Sequence, residues 1–466
     1  MKFLAAVAVL AAGACAYYNP VVDSDNPDPG VIFHDGKFWM ASTNNDVPAF
    51  PLRSSTDLVN WTTEGVIFPA DNYPTWASTN YWAPEFHVVN GHLNIYFTAR
   101  HGAQNLLSIG VATAESMTGP WKATDQPLVI RDVDILDCTV AQDRDTKKYY
   151  LIYKYCGNNS PFVAVELSED GLSTVGESRE ILWLDLPWEG PLIEGPFFVD
   201  YNGYYYLFYS GNGYTDATYA LGVARSKSLF GPYEKTPVPI FAQGADGAPG
   251  HTFTATGHGS VVQIPGTDVW YGVNHAYYSG RILQTGRVCI VDRMWWTADG
   301  WPIMGQARSA GEGDLPLPTS PEAAAMQPDL RIRDDGSLFT LEAYQGYGCV
   351  LSDGTINGDC SASRLRARTG FMGPRSISIE SVDMPGHFMR HRDGEIFFDP
   401  DDGSDLFKQD ATFFDVAGIR DPSMVSIRPY NYPNNFIRHK DGKLRFDPFD
   451  QTTLMAEDAT FKIHYV

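Results

Sequence analysis

After its first dozen residues the chain has no apolar run of the roughly 20 residues that a membrane-spanning helix needs. Positive charge is scarce too: 34 Lys and Arg stand against 56 Asp and Glu, a formal net charge of −22. Such a surface repels phosphate backbones and anionic lipid. Nucleic acid and membrane are therefore excluded as partners, and a neutral substrate fits better. Helical periodicity is missing over any long stretch. Cysteine is sparse, at six in 466 residues. What is abundant is the aromatic class, with 25 Tyr, 26 Phe and 11 Trp, which suits β-structure and sugar-stacking surfaces. A hydrophobic share of 44% marks a globular chain with a substantial core.

A short basic start, Met1-Lys2, precedes the apolar residues 3–12, and Ala14-Cys15-Ala16 gives a small-residue cleavage signal. Residues 1–16 are read as a signal peptide and the protein as secreted and extracellular. Cleavage leaves five cysteines. Cys349 and Cys360, close together in a Gly-rich stretch, form the expected disulfide. Cys138 and Cys156 flank one hairpin, so a second bridge is open, and Cys289 reads as a buried thiol. Asn60 and Asn158 head glycosylation sequons, meaningful in a secreted chain.

Five times a polar residue opens a hydrophobic strand, a tight turn follows, and an aromatic-rich strand returns. The openers are Asp28, Glu85, Asp137, Glu194 and His258, spaced by 57, 52, 57 and 64 residues. The fourth copy is the clearest: Glu194 opens 196–199, Asn202-Gly203 makes the turn, and 204–209 returns. Repetition at this period marks a β-propeller, whose blades bring equivalent strand starts to one axis. The expectation is all-β, with a five-bladed propeller over residues 17–308.

Residues 309–330, with Pro316, Pro318, Pro321 and Pro328, have linker composition. Beyond them a second repeat begins. Phe388-Met389-Arg390-His391 with Asp393-Gly394 is echoed by Phe436-Ile437-Arg438-His439 with Asp441-Gly442, 48 residues on. Asp410-Ala411-Thr412-Phe413 is echoed by Asp458-Ala459-Thr460-Phe461 at the same offset. A divergent third copy fits 338–372, so residues 331–466 are expected to form a β-trefoil that raises local substrate concentration.

Hydrolysis of a glycosidic bond needs an acid for the leaving oxygen and a base for water, usually two carboxylates. Asp28, Asp137 and Glu194, on three blades around one axis, satisfy that need. Neighbouring acids push one pKa upward and keep a proton available. On the residues alone the reading is a retaining or inverting glycosidase, or a sugar-binding propeller.

Asn26-Pro27-Asp28-Pro29, Trp82-Ala83-Pro84-Glu85, the Asp137 strand start, Glu194-Gly195-Pro196, Gly257-His258-Gly259-Ser260 and Gly286-Arg287 together resemble glycoside hydrolase family 43. The resemblance implies inversion, with Asp28 as general base, Glu194 as general acid, and Asp137 orienting Glu194 and raising its pKa. It further implies that Arg287 and Trp82 contact the sugar and that His258 faces the axial channel. There His258 would help hold a structural calcium ion, while no cofactor is required for the chemistry. Glu85 is expected to hydrogen-bond within the channel. Cys138-Thr139 after Asp137 departs from the Pro-Ser expected there. The second domain resembles the arabinofuranose-binding trefoil, carbohydrate-binding module family 42. That implies pockets pairing His391 with Asp410 and His439 with Asp458, and none in the first repeat.

The resulting expectation is a secreted, monomeric α-L-arabinofuranosidase acting on arabinan or arabinoxylan of plant cell walls. A β-xylosidase or endo-arabinanase of the same family is the alternative, and a non-catalytic carbohydrate-binding protein the alternative of another class.

Overall fold

The computed structural model describes residues 16–157, 159–236, 239–241, 252–296, 300–304, 315–325, 332, 336–372, 376–420, 424–432, 435–448, 450 and 452–466. Apart from Ala16, the signal segment lies outside the described residues, as does Asn158.

Five four-stranded antiparallel sheets follow one another along the chain. Their innermost strands are Gly30–His34, Ala77–Val89, Ile135–Gln142, Ile193–Tyr201 and Phe253–Gln263. Each packs against the innermost strand of the next blade, and the fifth packs against the first. The five sheets therefore close into the expected propeller.

Apolar wedges fill the gaps between blades, and strand alternation builds them. In Tyr204–Gly211 of the fourth blade, Tyr205, Leu207 and Tyr209 enter the wedge shared with blade three, while Tyr206 and Phe208 enter the wedge shared with blade five. A strand buried on both faces reads as a continuous aromatic run, which is what the tyrosine run is. The ring is locked where it closes. Val21 N–H donates to the Cys289 carbonyl at 2.9 Å and Cys289 N–H to the Val22 carbonyl at 3.0 Å. The start of the chain thus extends the third strand of blade five, Val288–Trp296, sideways. Ala16–Tyr17 also pairs with Leu315–Pro316, and Leu315 packs into the wedge between blades five and one. The described centre of the segment read as a linker is therefore fastened to the propeller.

Within or just before each innermost strand an equivalent residue takes a left-handed backbone: Asp28 (φ 50°), Ala83 (44°), Asp137 (50°), Gly195 (59°) and His258 (33°), with Asn80 and Ala255 as further left-handed residues in blades two and five. In blades two to five the pairing register slips at that place, so these are bulges that re-aim side chains toward the axis. The turned N–H of each crosses to another blade. Ala83 N–H donates to Thr43 Oγ1 at 2.7 Å, Asp137 N–H to Thr98 Oγ1 at 2.9 Å, and His258 N–H to Ser210 Oγ at 2.9 Å. Asp28 N–H donates to His275 Nδ1 at 3.3 Å. On blade three the corresponding place is held by Lys154, whose ammonium cannot accept. There Gly195 N–H donates to Asp137 Oδ2 instead, at 3.1 Å.

Because the bulge of blade two falls at Ala83, Glu85 lies two residues beyond the turn. His87 Nε2 stands 3.9 Å from its carboxylate. Glu85 does not join the acidic centre as an equivalent opener.

Beyond residue 336 six strands form a closed sheet, each pairing with the next: Leu338–Ala343, Leu365–Thr369, Ile377–Ser381, Phe413–Ala417, Val425–Pro429 and Phe461–Tyr465. Three hairpins accompany it, and the Asp393-Gly394 and Asp441-Gly442 turns have the positive φ that Asp-Gly favours. Short helices Asp405–Asp410 and Thr453–Asp458, N-capped by Ser404 and Thr452, fill equivalent places in the second and third copies. In the first copy that place is a 3-10 turn, Cys360–Ala362, tied to Cys349 by the expected disulfide. Cys138 and Cys156 do not pair: Cys138 is buried in the wedge between blades two and three, while Cys156 is exposed at the end of its strand.

Replacing Thr98 with the isosteric Val removes the acceptor for a buried N–H. Thr98→Val is expected to lower the unfolding free energy by about 1–3 kcal/mol, measured by denaturant titration. An unchanged midpoint would show that this latch carries no stability.

Candidate functional site

The bulges place Asp28, Asp137 and His258 side by side, with Glu194 adjoining through Gly195. His258 Nδ1 stands 3.3 Å from Asp28 Oδ1 and 3.9 Å from Asp137 Oδ2. Donor atoms of Asp137, Glu194 and His258 lie within 4.8 Å of one another. The imidazole therefore sits between Asp28 on one side and the Asp137–Glu194 pair on the other. Its ring lies over Gly195, where a Cβ would stand 2.8 Å from two ring carbons. That contact and the positive φ make glycine a requirement there.

Asp28 is built to be ionised. Burial raises its pKa, yet Arg287, His258 and His275 together hold it well below the usual carboxylate value. Arg287 Nη1 is 2.8 Å from Oδ1, His275 Nδ1 is 3.0 Å from the same oxygen, and Thr43 Oγ1 donates to Oδ2 at 2.7 Å. Arg287, expected to touch substrate, is thus committed to Asp28. It also stacks on the ring of Tyr214 at 4.4 Å, an exposed residue on the loop before the third strand of blade four. His275 is fully buried, and burial lowers its pKa to about 4, so at neutral pH it is uncharged and its Nδ1 either accepts the Asp28 N–H or, in the other tautomer, donates to the Asp28 carboxylate.

Asp137 is the opposite case. Burial comes first and the nearby Glu194 adds to it, raising the carboxyl to about 6, although His258 and Lys154 pull downward. Glu194 accepts from Tyr219 Oη at 2.8 Å and from Lys154 Nζ at 3.3 Å. Tyr219 is buried and stacked on His275, with ring centroids 5.7 Å apart and planes within 7°. One aromatic pair therefore joins the group beside Asp28 to the group beside Glu194. Trp82 is half-buried and donates through Nε1 to Asn45 Oδ1 at 3.0 Å, one residue before the Ala83 latch. Glu85 stays off the centre, and burial raises its pKa well above the ordinary value. His87 beside it is lowered by burial to about 3.

Calcium takes six to eight oxygen ligands. The cluster around His258 offers one imidazole and two carboxylates, and those carboxylates already serve Lys154, Tyr219 and the Gly195 N–H. A calcium ion there would have to draw most of its oxygen ligands from water.

Lys154, Tyr219, His275 and Thr43 were not singled out from sequence. For Thr43, Lys154 and His275 the signal is a polar residue recurring at one place in the second strand of every blade, or just past it: Thr43, Thr98, Lys154, Ser210 and His275, spaced by 55, 56, 56 and 65 residues.

In the C-terminal sheet the expected pairs form. His391 Nε2 is 3.5 Å from Asp410 Oδ1, and His439 Nε2 is 3.6 Å from Asp458 Oδ1. Each aspartate is also bound by the arginine before its histidine, Arg390 at 2.9 Å in one copy and Arg438 in the other. The two places differ in one respect. His391 Nε2 lies 2.6 Å from Asn431 Oδ1, whereas His439 Nε2 is buried without a hydrogen-bond partner among the described residues. Aromatic rings stand beside both, Tyr432 near His391 and Tyr347 near His439.

The model of the glycosyl hydrolases family 43 matches residues 17–302, and that of the alpha-L-arabinofuranosidase B domain matches residues 350–463. Over 461 residues the chain is 28% identical to an extracellular exo-alpha-(1->5)-L-arabinofuranosidase of Streptomyces avermitilis, covering 90% of this chain and 89% of that one. It is 29% identical to a beta-D-galactofuranosidase of Aspergillus niger over 303 residues, 60% of this chain and 83% of the other. The crystal structure of a thermostable family-43 glycoside hydrolase superposes with a TM-score of 0.57 at 26% identity, over 65% of this chain and 99% of that one. Several other relatives are longer, and the chain spans 51–63% of their length.

Lys154 lowers the Asp137 titration, so removing its charge must raise it. In Lys154→Met the carboxyl that titrates at about 6 is expected to titrate higher, read by ¹³C carboxyl NMR. A midpoint that stays or falls would contradict this assignment of charges.

Proposed function

The chain belongs to the glycosyl hydrolases family 43, and from that premise we propose that it releases α-L-arabinofuranosyl residues from arabinan or arabinoxylan with inversion of configuration. The observation that carries the mechanism is the opposed electrostatics on the two sides of His258. Asp28 is held as a carboxylate, the form a general base needs, while across His258 burial raises Asp137 to about 6 beside Glu194. In this reading Asp28 takes a proton from water as the water attacks the anomeric carbon, and Glu194 gives one to the leaving oxygen. Asp137 fixes the backbone next to Glu194 by accepting from the Gly195 N–H. Tyr219 orients the Glu194 carboxyl, and Arg287 keeps Asp28 charged while closing that side of the pocket with Tyr214. No cofactor takes part.

Arabinose enters the proposal through the C-terminal domain and through the activity that names the Streptomyces relative, whose match covers 90% of this chain. We read that domain as a β-trefoil in which His391–Asp410 and His439–Asp458 hold arabinofuranosyl side groups, with a free imidazole nitrogen at the second place. A signal peptide over residues 1–16, secretion, a glycan on Asn60 and a monomeric state complete the proposal. A β-xylosidase is the competing activity, since relatives at 27–28% identity carry that name.

Hydrolysis of an aryl α-L-arabinofuranoside is expected to exceed that of the aryl β-xyloside, and to fall by roughly 10²–10⁴-fold in Asp28→Ala and in Glu194→Ala. A clear preference for the xyloside would replace the arabinose reading. Full activity in both variants would end the mechanism.

A further inference from the structure

One loop of blade four reaches both sides of the acidic centre. Residues 212–218 leave the strand Tyr204–Gly211 and run to Tyr219, whose hydroxyl donates to Glu194 Oε1 at 2.8 Å. Within the loop, Tyr214 lays its ring against Arg287, 4.4 Å from the guanidinium carbon, and Arg287 in turn binds Asp28. The loop is braced from inside. Asp216 Oδ1 accepts from the Thr218 N–H at 2.8 Å, and the Asp216 carbonyl from the Tyr219 N–H at 3.0 Å.

Its root is fixed by the segment that enters blade four. Glu189 is fully buried there, and its Oε2 accepts from the N–H groups of Asp185 and Leu186, both at 2.8 Å. Oε1 accepts from Tyr209 Oη at 2.7 Å and from Lys235 Nζ at 2.6 Å. Trp188 stacks on Tyr209 and lies over Gly211 and Gly222, where a Cβ would stand 2.6 and 2.5 Å from the indole. The segment pinned in this way takes hold of Asn212, which has a left-handed backbone (φ 68°). The Asn212 N–H donates to the Glu189 carbonyl at 2.7 Å, and Nδ2 to the Trp188 carbonyl at 2.8 Å.

Arg287 needs such support. Its side chain makes one hydrogen bond among the described residues, Nη1 to Asp28 Oδ1, and a single bond leaves the guanidinium plane free to turn. A ring face against that plane adds a cation–π contact and removes the freedom. A guanidinium that drifts from Oδ1 would leave the base less well aimed at water.

We propose that Tyr214 is a positioning residue, held by Asn212 and the Trp188–Glu189 segment, which acts by seating Arg287 on Asp28. This rests on the hydrolase reading above, and its test separates the two. Tyr214 is 39% exposed, so shortening it is expected to leave the fold intact. In Tyr214→Ala, kcat on nitrophenyl α-L-arabinofuranoside is expected to fall about tenfold, the scale of one cation–π contact, with KM changed less than about twofold. Tyr214→Phe keeps the ring face and is expected to recover that loss. Phenylglyoxal, followed by peptide mass spectrometry, is expected to label Arg287 faster in Tyr214→Ala than in Tyr214→Phe or the unaltered chain. A raised KM with unchanged kcat would make Tyr214 a sugar contact and overturn the proposal. Equal losses in the two variants, or unchanged labelling of Arg287, would overturn it as well. If the unaltered chain cleaves no arabinoside, the arabinosidase reading falls, and the labelling alone decides for or against the seat.

Discussion

Five backbone N–H groups, each turned out of its strand by a left-handed residue and caught by a neighbouring blade, hold the axis of this propeller in shape. A non-glycine residue in that conformation costs about 1–2 kcal/mol, and four of the five are non-glycine. The strained backbone persists because the turned donors are satisfied, and an orphaned buried donor would cost about 1–3 kcal/mol more. The same device aims the side chains, because a bulge turns a residue that would face a blade wedge toward the central channel. Asp28, Asp137 and His258 are themselves the turned residues, so the fold's closure and the placement of the reactive groups are one constraint.

The exception among the five explains the asymmetry of the centre. Where the other blades offer a hydroxyl or an imidazole to the next bulge, blade three offers Lys154. Its ammonium cannot cap an N–H, so Asp137 does that work and is drawn against Gly195, next to Glu194. Two carboxyls are thereby brought together on one side of His258, while on the other Asp28 is surrounded by Arg287, His275 and Thr43. One change of residue type at one repeated position separates a side with two neighbouring carboxyls from a side where a single carboxylate is held by Arg287.

Much of this was legible in the chain. The period of the openers gave the blade count, because each blade repeats one hairpin grammar. The turns Asp35-Gly36, Asn90-Gly91 and Asn202-Gly203 all adopt the positive φ their residues favour. The Arg-His and Asp-Ala-Thr-Phe echoes marked two places in the C-terminal sheet where His and Asp meet. What was hidden depended on register. A bulge two residues early in blade two leaves Glu85 outside the cluster around His258, and nothing in the local sequence marks that slip. Tyr219 and His275 sit in strands packed on both faces, where an aromatic or a lone polar residue reads as filling. The resemblance implies a sugar contact for Arg287, but its bond to Asp28, 259 residues away, has no local mark in the sequence. Asn431 reaches His391 from the following copy, which no pairing of the repeats would reveal.

The account stands on Asp28 acting on water from the side of the sugar opposite Glu194. Proton NMR of the first sugar released from an α-L-arabinofuranoside, recorded before mutarotation, tests this most directly. The β-anomer is the predicted first product; initial accumulation of the α-anomer would mean that a carboxylate attacks carbon, and would contradict the roles given to Asp28 and Glu194.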